Sequence, residues 1–231
     1  MLWHALVRPP PQVAHLITGA GNARYWQSPA VKFGAFMDPG NPDWDAMLAL
    51  LGPGDMFAIR PSVSLPASGR IRPVMRNVEV LEYAYSGPTP SHSIVVPAEF
   101  EGVRLSDENL SEINELASSP YTQALDAALL SLGPVLGWRE RATNGRLVAI
   151  AGARLAPDGF GEISTVVTRQ SYTGRGYATF LVNRLIADLL ASDRTPYLYV
   201  NGANSRAIAL YEHLGFTRTR TLEADLLEFL G

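Results

Sequence analysis

Glu162-Ile-Ser-Thr-Val-Val-Thr168 is followed within a few residues by Tyr172-Thr-Gly-Arg-Gly-Tyr-Ala178, and these two strings decide the reading of the chain. The first has the β-branched content of a strand. The second is a glycine turn. Gly174 and Gly176 remove two Cβ atoms where the backbone leaves a strand and enters a helix, so N–H groups there can approach a pyrophosphate closely. The helix dipole adds partial positive charge, and Arg175 adds a charge-assisted contact. Beyond the turn, Leu181, Val182, Leu185, Ile186, Leu189 and Leu190 form one broad apolar helical face, with Asn183, Arg184 and Asp188 opposite. By itself the turn is equally compatible with a tight junction that needs glycine only for steric reasons.

A strand at Pro196-Tyr-Leu-Tyr-Val200 leads to Asn204-Ser-Arg-Ala-Ile-Ala-Leu-Tyr211-Glu-His-Leu-Gly215-Phe216. Asn204 suits a helix N-cap and Gly215 the position after the C-terminus. Seven residues, about two helical turns, separate Asn204 from Tyr211, so they share a face with Ala207 and Ile208 between them. The bland reading is that Asn204 only caps and Tyr211 only packs. The two elements together place an anion cradle beside a phenol.

In this arrangement residues from about 103 to 221 resemble the GNAT superfamily of acetyl-CoA-dependent N-acetyltransferases. The turn signature, (Gln/Arg)-x-x-Gly-x-(Gly/Ala), maps onto Thr173-Gly174-Arg175-Gly176-Tyr177-Ala178. The later Asn…Ala…Leu-Tyr-x-x-Leu-Gly-Phe maps onto Asn204, Ala207, Leu210-Tyr211 and Leu214-Gly215-Phe216. Gly176 and Ala178 match, whereas Thr173 departs from Gln/Arg. That departure touches one side-chain contact and leaves the backbone cradle as it is.

The resemblance implies a fold and a set of roles. The fold is α/β (α+β): a mixed, mostly antiparallel sheet flanked by helices, with an N-terminal accessory region at 1–102 and the transferase domain at 103–231. The cofactor is acetyl-CoA. Backbone groups of Val166, Val167 and Thr168 pair with the pantetheine arm. The N–H groups of Gly174, Arg175, Gly176, Tyr177 and Ala178 hold the pyrophosphate, and Asn204 and Ala207 contact the coenzyme. Tyr211 protonates the departing thiolate in a ternary complex with a small-molecule amine or a peptide N-terminus. Only a free amine attacks a thioester, so a base is expected. Some family members use a carboxylate on the strand before the turn, which makes Glu162 the candidate, with a water relay or a main-chain route as alternatives. A solvent-facing strand-end glutamate is its bland reading.

The flanking sequence agrees with that order of elements. Asp107–Leu116 reads as a capped helix with Leu110, Ile113 and Leu116 inward, and Thr122–Leu132 as a second helix. Trp138–Thr143, Arg146–Leu155 and Gly161–Thr168 read as strands, with Asn144-Gly145 a hairpin signal and Pro157-Asp-Gly159 a turn. Residues 1–102 are less explicit. Ala46–Leu51 reads as a short helix, Gly52-Pro-Gly-Asp55 as a turn, Met56–Arg60 and Val78–Tyr85 as strands, and Ser86-Gly-Pro-Thr-Pro-Ser91 as a loop. The region is expected to cap the acceptor side; a diverged half-copy of the fold or a pairing surface is the other option. Tyr25, Trp26 and Trp44 are pocket candidates, although core packing is the commoner role of such residues.

Composition narrows the function classes. At 231 residues and 47% hydrophobic content the chain can bury a substantial core. A net charge of −3 argues against general nucleic-acid binding. Zero cysteines exclude disulfides, thiolate metal sites and a cysteine nucleophile, and they fit the expected cytoplasmic setting. No membrane span or signal segment is expected. A homodimer is compatible with the sequence. His4, His15, His92 and His213 lack metal-ligand spacing. Gly19-Ala-Gly-Asn-Ala23 reads as a simple loop. Two alternatives stand beside the transferase: a non-catalytic acyl-CoA sensor, and an NAD(P)-binding oxidoreductase that reads Gly174-x-Gly176-x-x-Thr179 as a dinucleotide fingerprint. The latter lacks a third glycine and an acid at the end of the next strand, which finishes Val200-Asn201.

Overall fold

The structure is a computed structural model, and it describes residues 17–20, 23–27, 32–36, 41–59, 63–90, 98–117, 125–155 and 159–231. The chain divides into two compact units. One holds the described residues up to Leu81 with Asn201–Ala203 and Arg220–Gly231; the other holds Glu82–Val200 and Asn204–Thr219. The mixed, mostly antiparallel sheet flanked by helices that the sequence implied is present.

In the first unit, β1 (Ile17–Ala20), β2 (Ala23–Gln27) and β3 (Lys32–Phe36) form an antiparallel three-stranded sheet. Of the Gly19–Ala23 string read as a loop, Gly19 and Ala20 end β1 and Ala23 starts β2, with Ala20 opposite Ala23, and Gly21 and Asn22 lie outside the described residues. Helix α1 (Trp44–Ala49) starts where the Asp43 side chain accepts from the Ala46 N–H. Strand β4 (Met56–Ile59) pairs antiparallel with the C-terminal half of β11 (Phe216–Phe229). Strand β11 in turn neighbours β5 (Ile71–Tyr85), which is longer than the Val78–Tyr85 segment expected. Met47, Phe57, Ile59, Leu227 and Phe229 form the core. Trp44 packs on it edge-to-face with Phe57 at 6.3 Å and donates Nε1–H to the Ser64 carbonyl, a structural role. The side chains of Tyr25 and Trp26 lie outside the described part.

The second unit carries the strand order β6 (Phe100–Leu105), β7 (Val135–Glu140), β8 (Arg146–Leu155), β9 (Phe160–Thr168) and β10 (Thr195–Asn201). The first four run antiparallel; β9 and β10 are parallel, joined by α4 (Tyr177–Leu190). Asn144 and Gly145 take φ of 56° and 77° between β7 and β8, which is the left-handed backbone an Asn-Gly hairpin needs. Helix α2 (Leu110–Leu116) follows a 3-10 turn whose Ser106 and Asn109 form a capping box. The helix expected over Thr122–Leu132 is α3, only Ala127–Leu130. Asp126 is extended and caps it by accepting from the Leu129 N–H, so α3 begins there; residues 118–124 are outside the described part.

Helix α4 buries Leu181, Val182, Leu185, Ile186 and Leu189, at roughly 1.5–3 kcal/mol each. Its close seat on β9 needs Gly161, since a Cβ there would lie 2.3 Å from Leu189 Cδ2. A second anchor is Glu112 on α2. Its carboxylate accepts from both terminal nitrogens of Arg139 on β7, at 2.9 and 2.7 Å, and from the Leu147 N–H on β8 at 3.0 Å. Burial works against the charge, but the Arg139 hydrogen bonds and the Leu147 N–H outweigh it, and the Glu112 pKa falls below its ordinary value.

Candidate active site

The functional geometry starts from a defect in the sheet. Strand β9 aligns Ser164 with Gly152 and then Val167 with Ile150, so Thr165 and Val166 together oppose Ala151. This bulge holds Thr165 at φ 53°, a strained value for a β-branched residue. Two residues earlier the parallel ladder ends at Ile163↔Leu198, although β9 runs on to Thr168 and β10 to Asn201. The strands therefore part at Ser164, and residues 164–168 keep β8 on one edge only. The Thr168 hydroxyl is sealed from solvent with no hydrogen-bond partner, an unsatisfied group of the kind that calls for an explanation. Val166, Val167 and Thr168 all lie on this stretch.

The end of β9 is pinned by Arg169. Its N–H donates to the Val148 carbonyl, its Nε to the Leu147 carbonyl and its guanidinium to Glu115 on α2. A 3-10 turn over Gln170–Tyr172 follows, closed by the Thr173 hydroxyl donating to the Gln170 carbonyl. Thr173, the departure from the family pattern, thus closes its own turn. Gly174 and Gly176 adopt φ of 78° and 83°. No atom stands within 4 Å of a Cβ built on Gly174, and the Phe180 ring edge is 3.7 Å from one on Gly176. Backbone conformation, not crowding by neighbours, is what demands glycine here. Gly176 is the N-cap of α4, and no side chain caps the helix. The first-turn N–H groups have no intrahelical acceptor, so Tyr177, Ala178 and their neighbours present donors at the positive end of a 14-residue helix. The exposed Arg175 stacks over the Tyr172 ring at 5.2 Å. Tyr172 donates to Glu140 at 2.6 Å, which with Glu140's charge pushes its pKa up.

Tyr211 sits on α5 (Ser205–His213), in the same compact unit as the turn. It is only 7% exposed, edge-to-face with Phe216 at 5.9 Å, and burial pushes its pKa up to about 12. Its hydroxyl has no hydrogen-bond partner among the described residues. Asn204 caps α5, accepting from the Ala207 N–H at 3.2 Å.

Several comparisons bear on this architecture. The family profile described as FR47-like protein matches residues 135–223, the segment that holds the bulge, the turn and both helices. The crystal structure of a GNAT-family protein from Novosphingobium aromaticivorans DSM 12444 is 30% identical, with a TM-score of 0.78, and the alignment covers 99% of this chain and 96% of that one. The chain belongs to the GNAT superfamily. A GCN5-related N-acetyltransferase from Kribbella flavida shares the fold at 16% identity and TM-score 0.59, over 93% and 89% of the two chains. A GCN5-related N-acetyltransferase-like protein from Streptococcus suis 89/1591 does so at 16% identity and TM-score 0.57, over 97% and 96%. No curated protein matches the sequence.

GNAT homologues in general use acetyl-CoA. Three observations in this chain fit that group: the uncapped N-terminus of α4, the open space above two left-handed glycines, and the parting of β9 from β10. Membership favours acetyl-CoA over the dinucleotide reading, and the strand before the turn pairs antiparallel with β8 as well as parallel with β10. Glu162 is not the exposed strand-end residue of the bland reading. It is 7% exposed in the paired part of β9, with Arg154 opposite it on β8 and Tyr197 on β10, its carboxylate 3.9 Å from the Arg154 guanidinium. Arg154, Tyr197 and the Thr165 bulge were not singled out from sequence. A lone arginine ending the small-residue run Ala149-Ile-Ala-Gly-Ala153 was the available signal for the first. Among the described residues no cluster of metal-ligating side chains occurs, and no helix is long and apolar enough to cross a membrane.

Proposed function

We propose that this chain transfers the acetyl group of acetyl-CoA directly to a primary amine. The uncapped N-terminus of α4, with two left-handed glycines beside the end of a strand that has lost its parallel neighbour, carries the reading. On this reading the N–H groups of Gly174 to Ala178 hold the pyrophosphate, Arg175 adds charge, and the backbone of Val166 to Thr168 takes up the pantetheine arm. Asn204 already spends its side-chain oxygen on the cap, so its amide N–H groups are what it offers the coenzyme.

Acetyl-CoA supplies an acyl thioester, whose carbonyl carbon forms the new C–N bond as the C–S bond breaks. The protein's part is proton handling. Glu162 takes the proton of the acceptor ammonium, directly or through a water. Tyr211 donates from its hydroxyl to the sulfur, and the second proton that the nitrogen loses as the amide forms returns, directly or through a water, to the Tyr211 oxygen. A phenol at about 12 stays protonated through the physiological range and is always ready to donate. Residues 1–102 are assigned an accessory role, and a reducing cytoplasm suits a chain without cysteine.

Calorimetric titration with acetyl-CoA, coenzyme A and NADH tests the cofactor, and thiol release with amine acceptors tests the reaction. Micromolar binding of acetyl-CoA without NADH binding is expected. A chain that binds no acetyl-CoA refutes the proposal, and binding without turnover of any amine would leave the acyl-CoA sensor.

A further inference from the structure

Arg154, Glu162 and Tyr197 occupy one row across three adjacent strands, by the registers Arg154↔Glu162 and Glu162↔Tyr197. Gly161, next in the strand, meets Leu189, so the row lies on the sheet face opposite α4. Phe160 and Tyr199 extend it, two residues from Glu162 and Tyr197 along the same face. The row ends two residues before β9 and β10 part at Ser164.

Arg154 is 9% exposed, yet its guanidinium makes no hydrogen bond among the described residues; its one charged contact is Glu162 at 3.9 Å, beyond hydrogen-bond length. The Tyr197 hydroxyl, on a residue 7% exposed, likewise has no hydrogen-bond partner there. Both residues keep a small exposed fraction, 11% of the Arg154 side chain and 7% of Tyr197. Among the described residues this guanidinium has an ion-pair neighbour in Glu162 but no hydrogen-bond acceptor, and a buried donor set left unpaired costs free energy. Its planar fork matches a carboxylate. Glu162 beside it offers the opposite charge to an ammonium. Phe160, 43% exposed and edge-to-face with Tyr197 at 6.0 Å, adds apolar surface.

We infer that this row is the acceptor floor and that the acceptor is a zwitterion of the α-amino-acid type, its carboxylate on Arg154, its amine at Glu162 and its apolar side chain against Phe160 and Tyr197. The inference rests on the acetyl-transfer reading and narrows its substrate class. An adjacent buried plus and minus charge matches a molecule that carries amine and carboxylate one carbon apart. A peptide N-terminus, with no carboxylate at that distance, gives the guanidinium donors of Arg154 no substrate acceptor.

The test uses the full-length protein with saturating acetyl-CoA and matched acceptors: L-phenylalanine, its amide and 2-phenylethylamine; L-leucine, its amide and isopentylamine. Thiol release gives kcat/KM for each. At least tenfold preference for one of the free amino acids over its amide and its decarboxylated amine is expected. Arg154→Gln and Arg154→Lys should collapse that ratio toward one, chiefly through KM, since lysine keeps the charge but not the fork. Unchanged melting and acetyl-CoA binding would show that the variants fold. Equal or better turnover of the amides or amines, no turnover of either amino acid with acetyl-CoA bound, or a preference that survives both variants would overturn the inference while leaving the cofactor reading intact. Loss of acetyl-CoA binding to the unmodified protein would instead sink the transferase reading itself.

Discussion

Tyr211→Phe separates a catalytic hydroxyl from a packing one. The ring is buried, and the hydroxyl has no partner among the described residues, so its removal breaks no hydrogen bond among them. The ring keeps its contact with Phe216. Stability should therefore stay within about 0.5 kcal/mol of the parent, or rise slightly as a polar atom leaves an apolar setting. Catalysis should respond differently. A positioned general acid contributes roughly 10²–10⁴-fold, about 2.7–5.5 kcal/mol of transition-state stabilisation. The assay is thiol release under saturating acetyl-CoA, run beside thermal melting and calorimetric titration of coenzyme A. The expected pattern is a kcat loss of at least about a hundredfold, with acetyl-CoA affinity and melting temperature nearly unchanged. Unaltered turnover would refute the acid assignment. A melting temperature lowered by ten degrees or more would refute the premise that the hydroxyl has no structural role.

Gly176→Ala should cost about 1–2 kcal/mol of stability, because φ is 83° while the space around a Cβ is open, and it should weaken acetyl-CoA binding by disturbing the cradle; unchanged melting would contradict the backbone argument. The pH profile of kcat should show no alkaline fall up to roughly pH 11, since Tyr211 loses its proton only near 12; a Tyr211-dependent inflection near 10 would mean that burial does not shift it. The raised folded-state pKa values of Tyr197 and Tyr211 add stability that is fully present below about pH 10, their unfolded value, and is lost as pH rises through the folded values, so alkaline melts should fall steeply above pH 10. Glu112 has the opposite sign: its lowered folded pKa adds stability above the unfolded value, lost as pH falls through the folded one. Glu112→Gln should accordingly cost about 1.5–3 kcal/mol at pH 7 and flatten the acid side of the melting curve; a variant as acid-sensitive as the parent would contradict the assignment.

Local signals in the second unit carried a great deal of the fold. The apolar face of α4, the Asn144-Gly145 turn and the Asn204 cap are each settled by residues within a few positions of one another, and each appears where its chemistry required. What the sequence left unread is set by pairing between distant strands. Nothing local to Thr165 announces a left-handed φ; the bulge follows from the mismatch between β8 and β9 registers. Tyr197 and Glu162 are 35 positions apart, and only the parallel ladder makes them neighbours. The α3 helix is shorter than the Thr122–Leu132 segment because Asp126 caps it: its side chain accepts from the Leu129 N–H instead of continuing the helix. The first unit was harder because β4 pairs with β11, whose residues lie some 170 positions downstream.

The parting of β9 and β10 shows why the site is where it is. A strand flanked by hydrogen-bonded neighbours on both edges offers a ligand no backbone, while an outer edge strand offers backbone without a rigid frame. Here the strand is interior up to Ile163 and one-sided from Ser164, so its free edge is held in register by β8 and by the Arg169 clamp on Leu147, Val148 and Glu115. The strain at Thr165 falls on the step between these two regimes, where backbone strain tends to accompany function. Beyond it lies the donor-rich N-terminus of α4; before it lies the Arg154–Glu162–Tyr197 row. The same break in pairing thus separates a backbone surface suited to a long phosphate-bearing arm from a side-chain surface suited to a compact charged acceptor. The two surfaces are consecutive along one strand. On the proposed reading, restoring the missing ladder would remove the first without touching a residue of the second, so the parting of β9 from β10 is the feature on which cofactor binding would depend most and acceptor charge selection least.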